Sequence, residues 1–239
     1  MMQQGALFCG TSGFAYPSWK PAFYPAKLPS AKFLEHYGTR LNTVEANYTF
    51  RRIAEASTFE KWDAATPERF VFLPKAHNRI THTLKLREAE EFTRYFLQSL
   101  DPLRNAGKLG PILFQLAPSC RCDAEALREF LRCFPHSYRA AFEFRHPTWF
   151  CDEVYEILRG AKAGLCLAEN ENLETPDVVT TDFVYLRLRK PDYSAEEIAE
   201  LRKRVSRYRE EGRDTYAIFK HEETPEGALH AEALLREVD

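Results

Sequence analysis

Long apolar runs are missing from this chain of 239 residues: none approaches the ~20 residues that a membrane-spanning helix needs. A charge excess is missing too. The 33 Lys and Arg nearly balance the 35 Asp and Glu, for a formal net charge of −2. That balance argues against a simple polyelectrolyte grip on DNA, although a local basic patch stays open. The first residues, Met1-Met2-Gln3-Gln4-Gly5-Ala6-Leu7-Phe8, offer neither a basic n-region nor an apolar h-region. No secretory signal is expected, and the expected location is the cytoplasm. A glycine-rich phosphate loop is absent: Gly10-Thr11-Ser12-Gly13 lacks the G-x-G-x-x-G pattern, and no Walker lysine follows it. Neither H-x-H nor H-E-x-x-H occurs as a ligating cluster, so no motif names a cofactor or metal. Cys120 and Cys122 form a C-x-C pair with Cys133 nearby, but no second pair or suitably spaced histidine completes a tetrahedral site. With Cys9 and Cys166 inside apolar runs, the six cysteines read as reduced structural thiols.

Hydrophobic residues make up 44% of the chain and aromatics 13%, enough for a substantial core. Short apolar or alternating runs take turns with longer segments of helical period. Strands are expected at Ala6–Gly10, Thr43–Asn47, Phe70–Lys75, Pro111–Leu116, Arg139–Arg145, Gly164–Ala168, Phe183–Arg189 and Thr215–His221. Between them, Phe92, Tyr95, Phe96, Leu100 and Leu103 form one helical stripe, and Leu127, Phe130, Leu131 and Phe134 another. Ser194 and Glu197 make a capping box, Asp123 and Asp152 are expected N-caps, and Thr224-Pro225 opens the last helix. Glu169 to Asp182 is polar, contains Pro176 and offers no helix. Eight strands alternating with helices imply an α/β fold, a (β/α)8 TIM-like barrel with an irregular connection between strands six and seven. No linker or repeat interrupts the chain, so residues 1–239 read as a single domain.

Charged side chains recur late in these runs: Glu45, Lys75, Glu143, Arg145, Arg187 and Lys220. Burying a charge costs several kcal/mol unless it is paired or used. Strand parity turns Glu143 and Arg145 inward against Phe142 and Phe144, Glu45 and Asn47 against Val44 and Ala46, and both Arg187 and Arg189 against Leu186 and Leu188. Gln115 lies between Phe114 and Leu116, and Lys220 follows Phe219. All lie at the strand ends where barrel enzymes place their sites. Two carboxylates against four cations imply a positive pocket suited to a phosphate or carboxylate; the same charges also fit structural ion pairs closing the mouth. Loop aromatics, Tyr16, Trp19 and Trp149, could stack on a ligand or simply cap the barrel. His77, His82 and His146 are candidate acid–base groups or metal ligands.

Several segments resemble the "domain of unknown function 72" family: Gly10 to Trp19, Phe23-Tyr24-Pro25, Thr43 to Phe50, Lys75-Ala76 with Ile80-Thr81-His82, and Phe142 to Phe150. The resemblance runs nearly end to end. It implies a TIM-like barrel and no established activity. Three positions depart from the family's pattern. Lys220-His221-Glu222 stands where many members carry Asn-Asn, Arg187-Leu188-Arg189-Lys190 where Arg-Leu-His-Gly is common, and Glu169 where Asp is common. The first two add positive charge.

The leading expectation is an enzyme acting on a small anionic substrate by general acid–base chemistry. Glu143 is the expected proton-transfer group, Glu45 the second carboxylate, and His146 a further candidate. Arg145 and Arg187 are expected to clamp the anion, Lys75 and Lys220 to neutralise developing charge, with Asn47, Gln115, Tyr16, Trp19, His82 and Trp149 lining the site. Alternatives are a metal-dependent hydrolase or isomerase using Glu45, His77, Glu143, His146 and Glu169, and a nucleic-acid binding or processing protein tracking phosphates with Arg187, Arg189 and Lys190. Arg202, Lys203, Arg204, Arg207 and Arg209 alternate with glutamates on one predicted helix, the pattern of a solvated face. The residues leave open whether the barrel turns over its ligand or only holds it. They name no cofactor and no oligomeric state, and no membrane association is expected.

Overall fold

The computed structural model describes residues 3–169, 173–190, 192–220 and 224–238. Eight parallel strands form its centre: β1 (Leu7–Ser12), β2 (Thr43–Ala46), β3 (Val71–Pro74), β4 (Ile112–Gln115), β5 (Ala140–Glu143), β6 (Gly164–Ala168), β7 (Phe183–Leu188) and β8 (Asp214–Phe219). They pair in the order β3-β2-β1-β8-β7-β6-β5-β4. The remaining seam, β3 to β4, is joined by parallel bridges at Phe72–Leu109 and Lys75–Leu113, where the Ala76 amide donates to the Leu113 carbonyl at 2.9 Å. The result is a nearly closed TIM-like barrel, wrapped by α1 (Phe33–Gly38), α2 (Ala56–Ala64), α3 (Glu90–Ser99), α4 (Asp101–Asn105), α5 (Ala124–Cys133), α6 (Asp152–Gly160), α7 (Ala195–Glu210) and α8 (Glu226–Val238).

The pleat separates two cores. Val44, Phe72, Phe114, Phe142, Leu186 and Leu188 face the helices, whereas Leu73, Leu113, Ala141, Cys166, Tyr185 and Ile218 fill the barrel. At the N-terminal end Arg139 plugs the barrel. Its Nη1 donates to Asp214 Oδ2 at 3.1 Å and to the Tyr216 hydroxyl at 3.2 Å, and its guanidinium lies 4.6 Å from the centre of the Phe183 ring. These inner side chains leave the opposite end, the carboxyl ends of the strands, for the polar residues.

Two expectations change at element boundaries. The stripe from Phe92 to Leu103 is two helices, because Pro102 cannot continue the first and instead opens α4; Tyr95 points to solvent at 56% exposure. Asp152 is the first residue of α6, and Cys151 occupies the cap position. Asp123 does cap α5, accepting from the Ala126 amide at 3.0 Å, and the Ser194 capping box opens α7. Between β6 and β7, residues 173–182 contain no helix. The expected end of the last strand, His221, lies outside the described residues.

The tightest strand contact is between β1 and β2. The Tyr37 hydroxyl clamps it, donating to the Thr43 carbonyl at 2.9 Å while accepting from the Thr11 amide at 2.9 Å. A Cβ on Gly10 would lie 1.9 Å from that carbonyl oxygen, an overlap with backbone that no rotamer relieves. Gly10→Ala is therefore expected to cost about 3 kcal/mol or more in urea unfolding, or to prevent folding. A variant with an unchanged urea midpoint would show that β1 and β2 separate freely.

Candidate active site at the barrel mouth

Arg187, at the end of β7, is the centre of the mouth. Its Nε and Nη2 donate to Glu45 of β2 at 2.9 and 2.8 Å, and its Nη1 donates to Glu143 of β5. Neither carboxylate has any exposed surface, and Arg187 keeps 4%. The remaining acceptor positions are filled as burial requires. The Tyr185 hydroxyl donates to Glu45 Oε2 at 3.0 Å, and the Gln115 amide donates to both Glu143 oxygens at 2.9 and 2.8 Å. Burial alone would push the Glu143 carboxyl up, but Arg187, Gln115 and Arg189 together hold it below its ordinary value. Burial works against the Arg187 charge as well, and the two carboxylates more than offset it. Beneath this layer burial pushes the Cys166 thiol far up, so it stays protonated.

Above the Glu–Arg–Glu layer stand further cations. Arg145 Nε reaches Glu143 Oε1 at a loose 3.7 Å. Lys75, 9% exposed, has no hydrogen-bond or carboxylate partner among the described residues; its Nζ lies 4.3 Å from the centre of the Phe50 ring. Burial and the nearby Arg187 lower the Lys75 amine from 10.5 to about 8, against the pull of Glu45 and Glu143. Arg189, turned inward by the same parity as Arg187, has no carboxylate on its guanidinium among the described residues. Its own backbone amide donates to Glu169 Oε2 at 3.0 Å. With Arg187 shared between two carboxylates, Lys75, Arg145 and Arg189 leave the mouth positive.

His82 joins this group from an unusual backbone. Arg79–Thr83 forms a single π-helical turn, closed by the Leu84 amide on the Arg79 carbonyl at 2.8 Å. It places the His82 ring 5.1 Å from Phe50, on the ring that Lys75 also contacts. Burial, then Lys75 and Arg145, hold the imidazole below its ordinary 6.5. The residues just beyond, Lys85, Leu86 and Glu88, all have positive φ, a cluster of strained backbone beside the mouth.

The other expected site residues are placed as follows. Trp19 is fully buried, packed against Tyr16, Phe23 and Tyr24; Trp149 is 1% exposed, stacked on Phe144 at 4.4 Å, with its Nε1 donating to the Cys120 carbonyl at 2.8 Å. The expectation that these two rings stack on a ligand is corrected: their faces are already used. Tyr16 folds back so that its hydroxyl donates to the Ser12 carbonyl at 2.9 Å, a path open because Gly13 has φ +98° and no Cβ to meet that hydroxyl. His146 caps the 3-10 turn Pro147–Trp149 with its Nδ1, and His77 accepts the Arg79 amide at 3.1 Å. Asn47 is half-buried just past β2, and Lys220 is half-buried just past β8, its amide on the Leu188 carbonyl at 2.7 Å. Among the described residues no group of three or more His, Cys, Asp or Glu is placed to hold a metal, and none of the six cysteines is in a disulfide. The cations of α7 are mostly engaged: Arg202 with Glu237, Lys203 with Glu200, Arg204 and Arg207 with Asp177, and Arg209 on the Gly5 carbonyl. Tyr185 and Phe50 extend the expected set, and parity points to the first; Arg189, expected at the mouth as a phosphate-tracking residue, joins the other cations there. An apolar groove of about 570 Å3 between α3 and α5 lies on the barrel's flank, with rim charges paired as Arg87–Asp123 and Arg94–Glu90.

The family described as "Protein of unknown function DUF72" matches residues 8–239. The chain belongs to the DUF72 family. This DUF72 chain is 34% identical over 142 residues to the UPF0759 protein YunF of Bacillus subtilis, a match covering 56% of the chain and 50% of that protein. It is 28% identical over 157 residues to the UPF0759 protein YecE of Escherichia coli strain K12, covering 64% and 54%. It spans about half the length of these curated relatives. A solved DUF72 family protein from Thermotoga maritima superposes with a TM-score of 0.84 at 26% identity, covering 97% of this chain and 98% of the other. A second, from Enterococcus faecalis, gives 0.77 at 18% identity over 99% and 98%, a likeness of fold. No helix among the described residues is long and apolar enough to cross a membrane.

The buried layer makes a direct prediction for this DUF72 barrel. Arg187→Met strands two buried carboxylates and is expected to cost about 3–5 kcal/mol at pH 7. The pH dependence identifies the cause. In the native chain Glu143 is held below its ordinary 4.5, so its stabilisation is complete above that pH and drains as the pH falls through the folded value. In the variant, burial without Arg187 raises the Glu143 carboxyl, which then becomes neutral as the pH drops. The gap between the two urea midpoints should narrow from pH 8 to pH 5; a constant gap would mean lost packing rather than stranded charge.

Proposed function

We propose that the barrel mouth is an active site for a small phosphate- or carboxylate-bearing substrate, worked by general acid–base chemistry. One observation carries this reading: Lys75, Arg145 and Arg189 converge above a layer in which Arg187 already occupies both carboxylates. Gathering these charges at one mouth is costly unless an anion completes the set. Arg145 and Arg189 are the clamp, since planar guanidinium forks match carboxylate and phosphate oxygens. Lys75 is the proton-transfer group, with an amine displaced toward neutral pH, and His82 is a neutral partner beside it. Glu143 and Glu45 take a different part from the one their sequence positions suggest. With their oxygens engaged and no exposed surface, they set the field and hold Arg187 in place.

Two outcomes follow. Inorganic phosphate or sulfate should raise the melting temperature by several degrees near 100 times its dissociation constant, where binding adds about 2.7 kcal/mol. Combined Arg145→Ala and Arg189→Ala should abolish that rise, and its persistence would sink the anion site. Separately, Lys75→Met should stabilise the ligand-free chain by about 1–3 kcal/mol at pH 7. The sign follows from the lowered amine. Below about pH 8 both folded and unfolded chains carry the proton and the full burial penalty applies; it fades between 8 and 10.5 and is absent above. Urea titrations at pH 7 and pH 10.5 that give the same difference would remove the buried charge as its cause.

A further inference from the structure

Among the described residues, the cations that gather over the buried carboxylates are Arg145, Arg187, Arg189 and one lysine, Lys75. For neutralising an anion a guanidinium serves at least as well, and it cannot lose its proton. What a lysine adds is a nitrogen lone pair. Here the lysine is nine-tenths buried at the end of β3, with its nitrogen on a ring face and without a carboxylate or hydrogen-bond partner among the described residues. A lysine held only for structure would be expected to end on an acceptor. Lys108 does so on the barrel's flank, reaching the Asp63 and Thr66 carbonyls at 2.8 and 2.9 Å. An amine kept unpaired among other cations is the arrangement that exposes a nucleophilic lone pair near neutral pH.

Resting on the anion-site reading above, we propose that Lys75 is a covalent nucleophile that forms an imine with a small anionic aldehyde, ketone or α-keto acid held by Arg145 and Arg189. The neutral Nζ attacks the carbonyl carbon: the N–C bond forms, the C=O π pair moves to oxygen, and that oxygen takes a proton. Nitrogen then gives up a proton, the hydroxyl is protonated and leaves as water, and the C=N bond forms. One water is released and nothing is oxidised or reduced. Of the two protons that leave in the water, nitrogen supplies one and solvent the other, so the imine forms protonated and keeps at Lys75 the positive charge that the two carboxylates below favour. His82, on the same Phe50 ring and held neutral, is placed to pass these protons.

The test is reductive trapping with the full-length protein. Pyruvate supplies a carboxylate-bearing carbonyl, dihydroxyacetone phosphate a phosphate-bearing one, and acetone an uncharged control. Each is incubated with cyanoborohydride and followed by intact mass and peptide mapping, with melting curves in parallel. The expected result is one adduct per chain on the Lys75 peptide from an anionic probe and none from acetone. It should form about tenfold or more slowly in Arg145→Ala with Arg189→Ala, and be suppressed by inorganic phosphate. Which anionic probe reacts faster assigns carboxylate or phosphate recognition. Lys75→Arg should keep the phosphate-induced rise in melting temperature and lose the adduct. A phosphate-induced rise with no adduct, or with adducts scattered over surface lysines, overturns the imine and leaves the anion site standing. No rise and no adduct overturn both.

Discussion

Everything at the carboxyl end of this barrel hangs on one guanidinium. Arg187 ties β7 to β2 and to β5, strands that the sheet order keeps apart, and so braces the barrel across its interior. A cross-barrel brace built from leucines would hold as well. Buried ion triads are poor stabilisers, because desolvating three charges consumes most of what their attraction returns. The use of this triad is therefore better sought in the field it creates. Two carboxylates fixed under the mouth permit a group of cations above, and the shared guanidinium prevents those carboxylates from neutralising them.

Local backbone supports that arrangement at some cost. The π turn at Arg79–Thr83 and the positive φ of Lys85, Leu86 and Glu88 sit together in the connection after β3. Such conformations are disfavoured by about 1–3 kcal/mol each and persist where surrounding packing over-determines them. Here the packing is explicit: Ile80, Thr81 and Leu86 are buried, and the Leu86 amide bonds to the Ile80 carbonyl at 3.0 Å. What the distortion delivers is position, since it brings His82 to the ring that Lys75 already covers.

Much of this was readable before any coordinates. The eight strands follow from apolar runs separated by helical periods, and parity sorted Glu143 from Phe142 and Arg187 from Leu188, because a pleated strand leaves no other choice. The same rule put Glu45, Gln115, Glu143 and Arg187 in one layer. It could not say which carboxylate would take which donor, since that depends on side-chain lengths across the barrel. Partner choice is also why both oxygens of Glu143, the expected proton-transfer group, are already hydrogen-bonded. Loop residues were harder still. Trp19 and Trp149 looked available because nothing local to Ala15-Tyr16-Pro17-Ser18 or His146-Pro147-Thr148 reveals the aromatic partners that bury them. The break between α3 and α4, by contrast, is encoded by Pro102, which the hydrophobic period alone does not register.

Those buried tryptophans have a consequence for the chemistry. Trp19 anchors the connection after β1 within an aromatic stack, and Trp149 ties the connection after β5 to the one after β4 through the Cys120 carbonyl. The connections after β1 and β5 are thus held by packing, so that part of the frame is set in advance, the condition under which electrostatics would contribute most to the proposed chemistry. In a frame so fixed, pH changes little. Glu143 is held ionised and His82 neutral over the range in which most proteins work, and the arginines never titrate. Of the groups whose titration the mouth displaces, Lys75 is the one brought close to neutral pH, to about 8. A pH dependence of sulfate capture or of imine formation centred near 8 would report on that amine, and the direction distinguishes its two uses: binding that weakens as the pH rises marks an ammonium paired with an anion, whereas bond formation that quickens marks a nucleophile losing its proton.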